Sequence, residues 1–380
     1  MDRDLGTLIV SASAGTGHLR AGEALRESIS AWLPGRRVEH VDILDLAPRW
    51  VGRAYGGGFE LMASRAPWMW RELYAWTDGP AADSARWGAL ARRLLFRAFH
   101  RLAASGEWGL VLCTHFLPCQ LAARRADLPP FALVVTDLAL HRYWVQPGVR
   151  RYFVATDRMA EELRRRAGTA VEVTGIPLAP AFADVPGRER GTPEWAALRR
   201  RLGLDPARPV ALLMGGGLGL GVEAATAAAL HAGLDELQVV VVCGRNEGAR
   251  TRLSGGGESP DRLRVLGHVS NVHELMAAAD VVVTKPGGVT TSEALAVGRP
   301  IVFTRGVPGH EEANAREVVE LGAALQAIQP HLVSAALRRL LTEPPRMAAM
   351  TAAARAAGRP NAATWIAASV RRLLVRRAAA

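Results

Sequence analysis

The sequence predicts an α/β protein built from two Rossmann-like domains, and three observations support this prediction. Its 380 residues are enough for two domains of ordinary size. Short apolar runs, typical of buried parallel strands, alternate with helical patterns through both halves of the chain. Each half also opens with a strand, a glycine-rich turn and a helix, at 7–33 and again at 210–232.

Composition narrows the class of protein further. Hydrophobic residues make up 49% of the chain, so we expect packed cores rather than disorder. No run approaches twenty apolar residues without a charge or a glycine cluster, which predicts no transmembrane helix. The N-terminal residues do not read as a signal peptide, and the three cysteines lack metal-binding or redox spacing. These features indicate a reduced, cytosolic protein.

The net charge of +11 favours an anionic partner such as a membrane surface, a nucleic acid or a phosphate-bearing ligand. Lysine and arginine together number 47, yet Lys285 is the only lysine, so part of the charge reflects a coding bias towards arginine. This one lysine has either survived by chance or is needed as a compact ammonium where a guanidinium would not fit.

The first strand, turn and helix place a histidine close to a helix start. Thr7–Val10 reads as a strand, Ser11–Gly17 as a turn of small residues, and Ala21–Leu33 as a helix. The turn is neither a P-loop nor a G-x-G-x-x-G fingerprint. A helix N-terminus disfavours imidazolium by about 0.3–1 kcal/mol, which keeps His18 neutral and able to accept a proton. The alternative is a histidine that only caps the helix.

A segment rich in aromatic residues and arginines follows the second predicted strand, Arg37–Leu46. Large apolar side chains alternate with arginines in Tyr55–Asp78 and again in Trp87–Leu102. Helices of this kind can lie in a membrane interface, where each arginine near an anionic surface contributes about 1 kcal/mol. The alternative is a pair of amphipathic helices that pack on the sheet.

Polar residues end two of the next predicted strands, Leu110–His115 and Phe131–Asp137. In an open parallel sheet the carboxyl ends of the strands share one edge, and ligands bind there. Asp137 could therefore orient His18, act as a second acid or base, or simply cap a helix. The residues expected near His18 at this edge are Thr114, His115, Asp137 and His141. Strands at Tyr152–Ala155 and Val171–Gly175, around a capped helix at Thr156–Gly168, complete this half.

The second half begins after a polar linker, Asp184–Pro193, and a helix at Pro193–Leu202. Strand Val210–Met214 leads into Gly215–Gly221, which contains five glycines, and then into a helix. Further strands are expected at Leu237–Cys243 and Arg264–Gly267, and a helix at Asn271–Ala279.

A third strand–glycine–helix unit occupies 280–296. Asp280–Val283 reads as a buried strand, Pro286–Gly288 as a turn, and Thr290–Ser292 as helix caps before Glu293. Free N–H groups at such a helix start suit an anion, above all a phosphate. A carboxylate just inside the helix would repel that phosphate unless it bonded sugar hydroxyls, so Glu293 is a candidate ribose ligand. The alternative is an ordinary turn with a capping residue.

The remaining elements are a short strand, a turn and two helices. Ile301–Phe303 reads as a strand, Pro308-Gly309 as a turn, and His310 as the start of a helix. The tail, Arg359–Ala380, reads as a basic amphipathic helix, which could lie on a membrane or cross back to the N-terminal domain.

Four spaced motifs resemble those of the monogalactosyldiacylglycerol synthases and processive diacylglycerol glucosyltransferases, a branch of glycosyltransferase family 28 with the GT-B fold. They are S-A-S-A-G-T-G-H-x-x-A-G-x-A-L at 11–25, V-V-T-D-L-x-x-H-x-x-W at 134–144, T-K-P-G-G-x-T-x-S-E-A-L-A at 284–296 and P-G-x-E-E-x-N at 308–314. His310 stands where the family usually has glutamine, which leaves the donor sugar open.

The resemblance implies a fold and a reaction. The fold would be two Rossmann-like domains facing each other across a cleft, at 1–183 and 209–357, joined by a linker and helix at 184–208. A helix at 358–380 would return to the N-terminal domain. The reaction would be inverting transfer of a hexose from UDP-glucose or UDP-galactose to a lipid hydroxyl, with diacylglycerol the expected acceptor. Hinge closure at 176–193 would exclude water.

The resemblance also implies roles for individual residues. His18 would be the catalytic base, with Asp137 as a second catalytic residue. Glu293 would bind the ribose, His310 and Glu311 the sugar hydroxyls, and the backbone at 267–269 the uracil. The full expected donor set is Gly17, Gly215, Gly216, Gly217, Arg245, His268, Val269, Lys285, Gly287, Gly288, Thr290, Thr291, Ser292, Glu293, His310, Glu311 and Asn314. The expected acceptor-side residues are His115, His141 and Trp144.

Expected partners follow from the same resemblance. We expect no metal or other cofactor, no nucleic acid, and peripheral binding to the anionic inner face of the cell membrane. One alternative is a related enzyme whose acceptor is a polyprenyl-linked or other hydrophobic molecule. A second alternative, of a different class, is a basic protein that binds lipid or nucleic acid without turnover, although no aromatic RNA-binding signature or recognition-helix pattern is present.

Overall fold

The structure, a computed structural model, describes residues 5–13, 15–52, 94–123, 125–185, 189–257, 259 and 261–378. The predicted aromatic segment at 55–78, and the part of the next segment up to residue 93, lie outside these ranges. The proposed membrane contact of that region therefore stays a prediction.

The chain forms two compact units. The first comprises Met1–Pro180, Pro308–His310 and Asn361–Ala380, and the second comprises Ala181–Val307 and Glu311–Pro360. Residues 189–208, expected to connect the domains, thus pack with the second unit. Arg199 explains part of this, because its buried guanidinium donates to the Ala278 carbonyl at 2.8 Å and to Asp280 at 2.7 Å.

Six parallel strands form the sheet of the first unit. They are β1 (Gly6–Ser11), β2 (Val38–Asp42), β3 (Trp108–Cys113), β4 (Phe131–Val134), β5 (Val149–Val154) and β6 (Ala170–Val173). Their order across the sheet is β2-β1-β3-β4-β5-β6. β1, β3 and β4 are buried along their whole length, because helices cover both faces of a parallel sheet. The continuous apolar runs in the sequence reflect that burial.

The helices described in this unit connect successive strands. They are α1 (Gly17–Trp32), α2 (Arg49–Gly52), α3 (Arg97–Ala103), α4 (Phe116–Ala122) and α5 (Asp157–Ala167). α5 begins and ends where the sequence predicts. The Thr156 hydroxyl accepts the Met159 N–H at 3.3 Å, and Gly168 closes the helix in the left-handed region at φ +59°.

A second sheet of six parallel strands forms the other unit. Its strands are β7 (Val210–Met214), β8 (Gln238–Val242), β9 (Leu263–Leu266), β10 (Val281–Thr284), β11 (Ile301–Phe303) and β12 (Ala324–Gln326). The order is β12-β11-β10-β7-β8-β9, the doubly wound order of Rossmann domains. The strand β12 was not predicted, because Ala324–Gln326 contains no β-branched or aromatic residue that would indicate a strand.

Eight helices pack on the second sheet among the described residues. They are α6 (Pro193–Arg201), α7 (Val222–Leu230), α8 (Glu247–Ser254), α9 (Val272–Ala278), α10 (Gly288–Ala296), α11 (His310–Glu320), α12 (Pro330–Thr342) and α13 (Pro344–Ala357). The core of this unit joins buried side chains of β7, β8 and β10 to residues of α7, α12 and α13.

The final helix, α14 (Ala362–Ala378), belongs to the first unit. Its Ile366, Ala367, Val370 and Leu374 are buried with Leu25 of α1 and with residues of β1, β3 and β4. The expected crossing of the C-terminal helix back to the N-terminal domain is confirmed. None of the helices in the described ranges is long and apolar enough to span a bilayer.

Candidate active site

The topology of each sheet marks one place for a ligand. Strand order reverses between β1 and β3 in the first sheet and between β7 and β10 in the second. Ligands of open α/β sheets bind outside the carboxyl ends of the strands at such switch points. His18 and Thr114 lie at the first switch point. The Gly215–Gly221 loop and the turn at Lys285–Gly287 lie at the second.

His18 occupies the first turn of α1, and both contacts of its Nδ1 are to groups at strand ends. Nδ1 lies 2.9 Å from the Thr114 carbonyl oxygen and 2.8 Å from the Thr136 hydroxyl. A carbonyl oxygen only accepts, so Nδ1 must carry the proton. In the neutral ring Nε2 then has a free lone pair. This is the tautomer that a general base requires.

Electrostatics keep the His18 ring neutral. Burial lowers the pKa of His18 below its ordinary value of 6.5, while the negative charge of Asp137 acts in the opposite direction. The net effect is a lowered pKa, so the Nε2 lone pair is available at neutral pH.

Two of the three acceptor-side candidates cap short helices. His115 Nδ1 accepts the Leu117 N–H at 3.1 Å, and His141 Nδ1 accepts the Tyr143 N–H at 3.2 Å. The His115 ring also meets His18 edge-on, with centroids 4.8 Å apart. Burial holds the pKa of His115 well below 6.5, and the neighbouring His18 adds to that effect. His115 is therefore a neutral neighbour of the base.

Asp137 does not have the orienting contact proposed for it. The Nδ1 of His18 is occupied by Thr114 and Thr136, whereas one Asp137 oxygen accepts the indole N–H of buried Trp144 at 3.1 Å. The orienting role therefore belongs to the Thr114 carbonyl and Thr136. Thr136 was not predicted as a site residue, although it precedes Asp137 in the motif at 134–144. No local sequence pattern distinguishes a functional threonine at a strand end from a structural one.

The predicted donor residues other than Gly17 follow strands of the second sheet. The glycine loop after β7 packs against the loop after β8. A Cβ on Gly219 would lie 2.2 Å from the Cys243 carbonyl, and one on Gly244 would lie 2.7 Å from the Gly217 carbonyl. The Arg245 N–H donates to the Gly217 carbonyl at 3.1 Å, while its side chain is exposed. These glycines permit the two backbones to touch.

The helix after β10 begins earlier than predicted. Gly287 is the N-cap, α10 starts at Gly288, and the Thr291 N–H already donates to the Gly287 carbonyl at 3.0 Å. The prediction that Thr290, Thr291 and Ser292 cap this helix is therefore wrong. Glycine tolerates the tight turn, so the helix can begin before the hydroxyl residues. Helical geometry leaves the N–H groups of Gly288, Val289 and Thr290 without acceptors inside the helix.

Lys285 lies in a narrow slot between two glycines. A Cβ on Gly216 would lie 3.3 Å from Lys285 Cε, and one on Gly287 would lie 3.3 Å from Nζ. The ammonium pairs with the buried carboxylate of Glu311, whose other oxygen accepts the Val307 N–H at 2.7 Å. The expected sugar ligand Glu311 is thus held by two donors, and the slot is shaped for an ammonium.

The remaining donor candidates lie on α10, on α11 and after β9, except Gly17, which lies on α1 of the first unit. Asn314 is buried and donates to the Pro286 carbonyl at 3.2 Å, which holds the turn before α10. Glu293 is buried in the second turn of α10, and Ser292 is half-buried. His268 is exposed and Val269 half-buried after β9. Gly17 and His310 are the first residues of α1 and α11. No group of three or more potential metal ligands occurs among the residues that the structure describes.

Comparisons with known proteins agree with this geometry. The model of the monogalactosyldiacylglycerol (MGDG) synthase family matches residues 18–178, and that of the glycosyltransferase family 28 C-terminal domain matches 211–366. The probable MGDG synthase 2 of Oryza sativa subsp. indica is 30% identical over 361 residues, covering 88% of this chain and 73% of that protein. The chain belongs to the MGDG synthase family. The family model begins at His18 itself.

Two bacterial relatives are similar over a shorter region. The processive diacylglycerol beta-glucosyltransferase of Bacillus subtilis (strain 168) is 37% identical over 206 residues, which is 53% of this chain and 52% of that protein. Its counterpart in Bacillus pumilus (strain SAFR-032) is 40% identical over 200 residues. The chain thus spans about half the length of these two relatives, 52% and 49%.

Solved structures establish the GT-B fold. Acinetobacter baumannii MurG has a TM-score of 0.60 at 14% identity, covering 97% of this chain and 99% of that chain. The calicheamicin glycosyltransferase CalG4 has a TM-score of 0.61 at 16% identity, covering 98% and 99%. A UDP-GlcNAc 2-epimerase from Neisseria meningitidis scores 0.62 at 13% identity, covering 97% and 100%. Because transferases and an epimerase share the fold, the fold alone does not select the reaction.

Proposed function

We propose that this protein is an inverting glycosyltransferase that moves a hexose from UDP-glucose or UDP-galactose to the free hydroxyl of diacylglycerol. The observation that carries the proposal is the tautomer of His18, whose Nδ1–H donates to the Thr114 carbonyl and leaves Nε2 as a base at a switch point. An acceptor hydroxyl needs such a base at the moment it attacks. General base catalysis of this kind contributes about 10²–10⁴-fold.

The proposed reaction is a single displacement. The acceptor oxygen forms a bond to the anomeric carbon while its proton passes to Nε2 of His18. The bond from that carbon to the diphosphate breaks, and its electron pair leaves with UDP. Attack from the face opposite to the leaving group inverts the anomeric centre.

The carboxyl edge of the second sheet supports a nucleotide donor. The N–H groups of Gly288, Val289 and Thr290, which have no acceptor inside the helix, and the nearby Lys285 ammonium supply positive charge without a metal. Such preorganised charge stabilises a departing diphosphate. Glu293, buried in the second turn of α10, remains our candidate for the ribose hydroxyls.

The acceptor class rests on the relatives, which are named diacylglycerol glucosyltransferases and MGDG synthases. We propose the same acceptor here, reached by peripheral binding at the inner face of the membrane. The departure at His310 from the usual glutamine leaves the choice between glucose and galactose to experiment.

One assay tests the proposal. UDP release is measured from a panel of UDP-sugars, with and without diacylglycerol in anionic vesicles. We expect release that depends on the lipid with UDP-glucose or UDP-galactose, and a glycolipid of inverted anomeric configuration. Release that is independent of diacylglycerol, or stimulated only by a polyprenyl-linked acceptor, would contradict the proposed acceptor.

A further inference from the structure

A chain of buried side chains holds the backbone of His18 from beneath. The His18 carbonyl accepts from Ser11 Oγ at 3.2 Å and from Thr114 Oγ1 at 3.0 Å. The two hydroxyls lie 2.8 Å apart, and Ser11 Oγ lies 2.7 Å from Nε2 of His40. Ser11 ends β1, His40 is on β2 and Thr114 follows β3. Three adjacent strands thus fix one peptide at the start of α1.

His40 also contacts α1 through its other nitrogen. Nδ1 lies 3.5 Å from a carboxylate oxygen of Glu23, and the His40 side chain is only 11% exposed. Glu23 is itself paired with Arg26, and Asp42 is the other charge near the ring. Ser11 gives its single hydroxyl proton to the His18 carbonyl, so Nε2–H of His40 is the donor to Ser11 Oγ.

Gly22 shows that this contact demands a close approach of α1 to the sheet. A Cβ at position 22 would lie 2.3 Å from His40 Nε2 and 2.4 Å from Ser11 Oγ. Glycine in the middle of a helix costs roughly 0.5–1 kcal/mol relative to alanine. The sequence accepts this cost at the position where a methyl group would separate His40 from Ser11.

We infer that His40 is a positioning residue for His18, acting through Ser11. The proposal rests on the proposed role of His18 as the base, and it assigns His40 no contact with either substrate. By holding the His18 peptide, the His40–Ser11 pair sets the direction in which Nε2 points. A displacement of about 1 Å at a reacting group can cost on the order of 10²-fold in rate.

Two substitutions of similar size separate positioning from general stability. The glutamine amide of His40→Gln reaches the place of Nε2 and can still bond Ser11, whereas the shorter amide of His40→Asn reaches only the place of Nδ1. We expect His40→Gln to keep kcat within about threefold of the wild type. His40→Asn should lower kcat by about 10–100-fold with the donor KM unchanged. Equal losses in the two variants would overturn the proposal.

A double-mutant cycle tests the route through Ser11. Ser11→Ala should lower kcat about as much as His40→Asn, and the double variant should lose no more than either single variant. Losses that multiply would show that His40 acts independently of Ser11 and would overturn the proposal.

A measurement that does not depend on turnover tests the positioning role of His40 independently of the proposed function. The ¹⁵N resonances of the His18 imidazole report its tautomer, and they should shift in His40→Asn but not in His40→Gln. His231→Asn, at an exposed histidine of the second unit, is the control and should leave them unchanged. Unchanged His18 resonances in His40→Asn would overturn the proposal. A wild-type protein without transferase activity would reject the proposed function, while the resonances would still decide on positioning.

Discussion

At the residue scale, the position of one proton determines what His18 can do. The Thr114 carbonyl and the Thr136 hydroxyl hold that proton on Nδ1, and burial lowers the pKa of the ring. The neutral Nε2 is thereby available without help from a carboxylate on the other nitrogen. This differs from sites in which an aspartate orients the histidine.

Replacing His18 with alanine should lower transfer by about 10²–10⁴-fold, because the variant lacks the base that we propose takes the proton of the acceptor hydroxyl. Binding of UDP should be unchanged, since the proposed donor groups belong to the second sheet. Turnover and calorimetric titration with UDP measure the two effects. Turnover retained at the wild-type level would remove His18 as the base.

His115→Asn should reduce the slope of the free energy of unfolding against pH below pH 6.5. Burial lowers the pKa of His115 well below 6.5, so the unfolded chain binds a proton that the folded protein does not. The stability linked to this group is therefore complete above pH 6.5 and is lost as the pH falls below it. The slope is at most about 1.4 kcal/mol per pH unit.

Asparagine also caps helices but does not titrate, so the variant isolates this proton. Urea unfolding at several pH values below 6.5 gives the two slopes. His231→Asn should keep the wild-type slope, and a wild-type slope in His115→Asn would count against the assignment.

Some of these residues can be predicted from the sequence and others cannot, for a physical reason. His18 was found because a histidine after a glycine turn at a helix start is unusual, and because a family motif contains it. Thr136, Ser11 and His40 act through contacts between strands that lie far apart in sequence. No local pattern records such contacts.

At the element scale, the strand–turn–helix units were predicted well and the helix start after β10 was not. Val210–Met214 and Ile301–Phe303 have the predicted boundaries. The caps at 290–292 were predicted from side-chain preference, whereas the turn at Gly287 starts the helix through backbone conformation. The N–H groups that we propose to bind an anion consequently belong to Gly288–Thr290, two residues earlier than the hydroxyls suggested.

The ion pair between Lys285, in the β10–α10 turn, and Glu311 of α11 should stabilise the fold only while both charges are present. Lys285→Met would remove the ammonium from the carboxylate of Glu311, which is 3% exposed, at a cost of about 3 kcal/mol or less. The double variant with Glu311→Gln should recover most of that stability but still bind UDP about tenfold more weakly, because the ammonium is gone. Chemical unfolding and UDP titration measure both effects. Wild-type UDP affinity in the stable double variant would exclude Lys285 from the donor site.

Transfer should continue in excess EDTA. We propose that the start of α10 and Lys285 supply the positive charge that a divalent ion supplies in other nucleotide sites. Rates measured before and after EDTA treatment should agree. A loss that Mg²⁺ or Mn²⁺ restores would contradict this account of α10.

At the scale of the whole molecule, the first unit is not continuous in sequence. Its core includes Ile366, Val370 and Leu374 of α14, although the second unit lies between β6 and α14 in the chain. The sequence identified the tail as amphipathic, and the family resemblance decided between a membrane and the N-terminal domain as its partner.

Ile366→Ala should destabilise the first unit by about 2–5 kcal/mol, because it opens a cavity in a fully buried position. Val375→Ala on the same helix is the control, since that side chain is 55% exposed and should cost less than about 0.5 kcal/mol. Hydrogen exchange should show lost protection in β1 and β3 and unchanged protection in β7 and β10. Uniform loss in both sheets would contradict the division into two units.

The placement of α14 also bears on how the protein is made. A ribosome adds about 5–20 residues per second, so α14 emerges roughly 10–40 s after β6. During that interval the apolar face of α1 and the sheet behind it lack the helix that covers them, and the second unit is complete only when α13 has emerged, just before α14. The half of the nascent chain that is synthesised first is thus completed last, and it is the half for which we expect the greater demand for a chaperone.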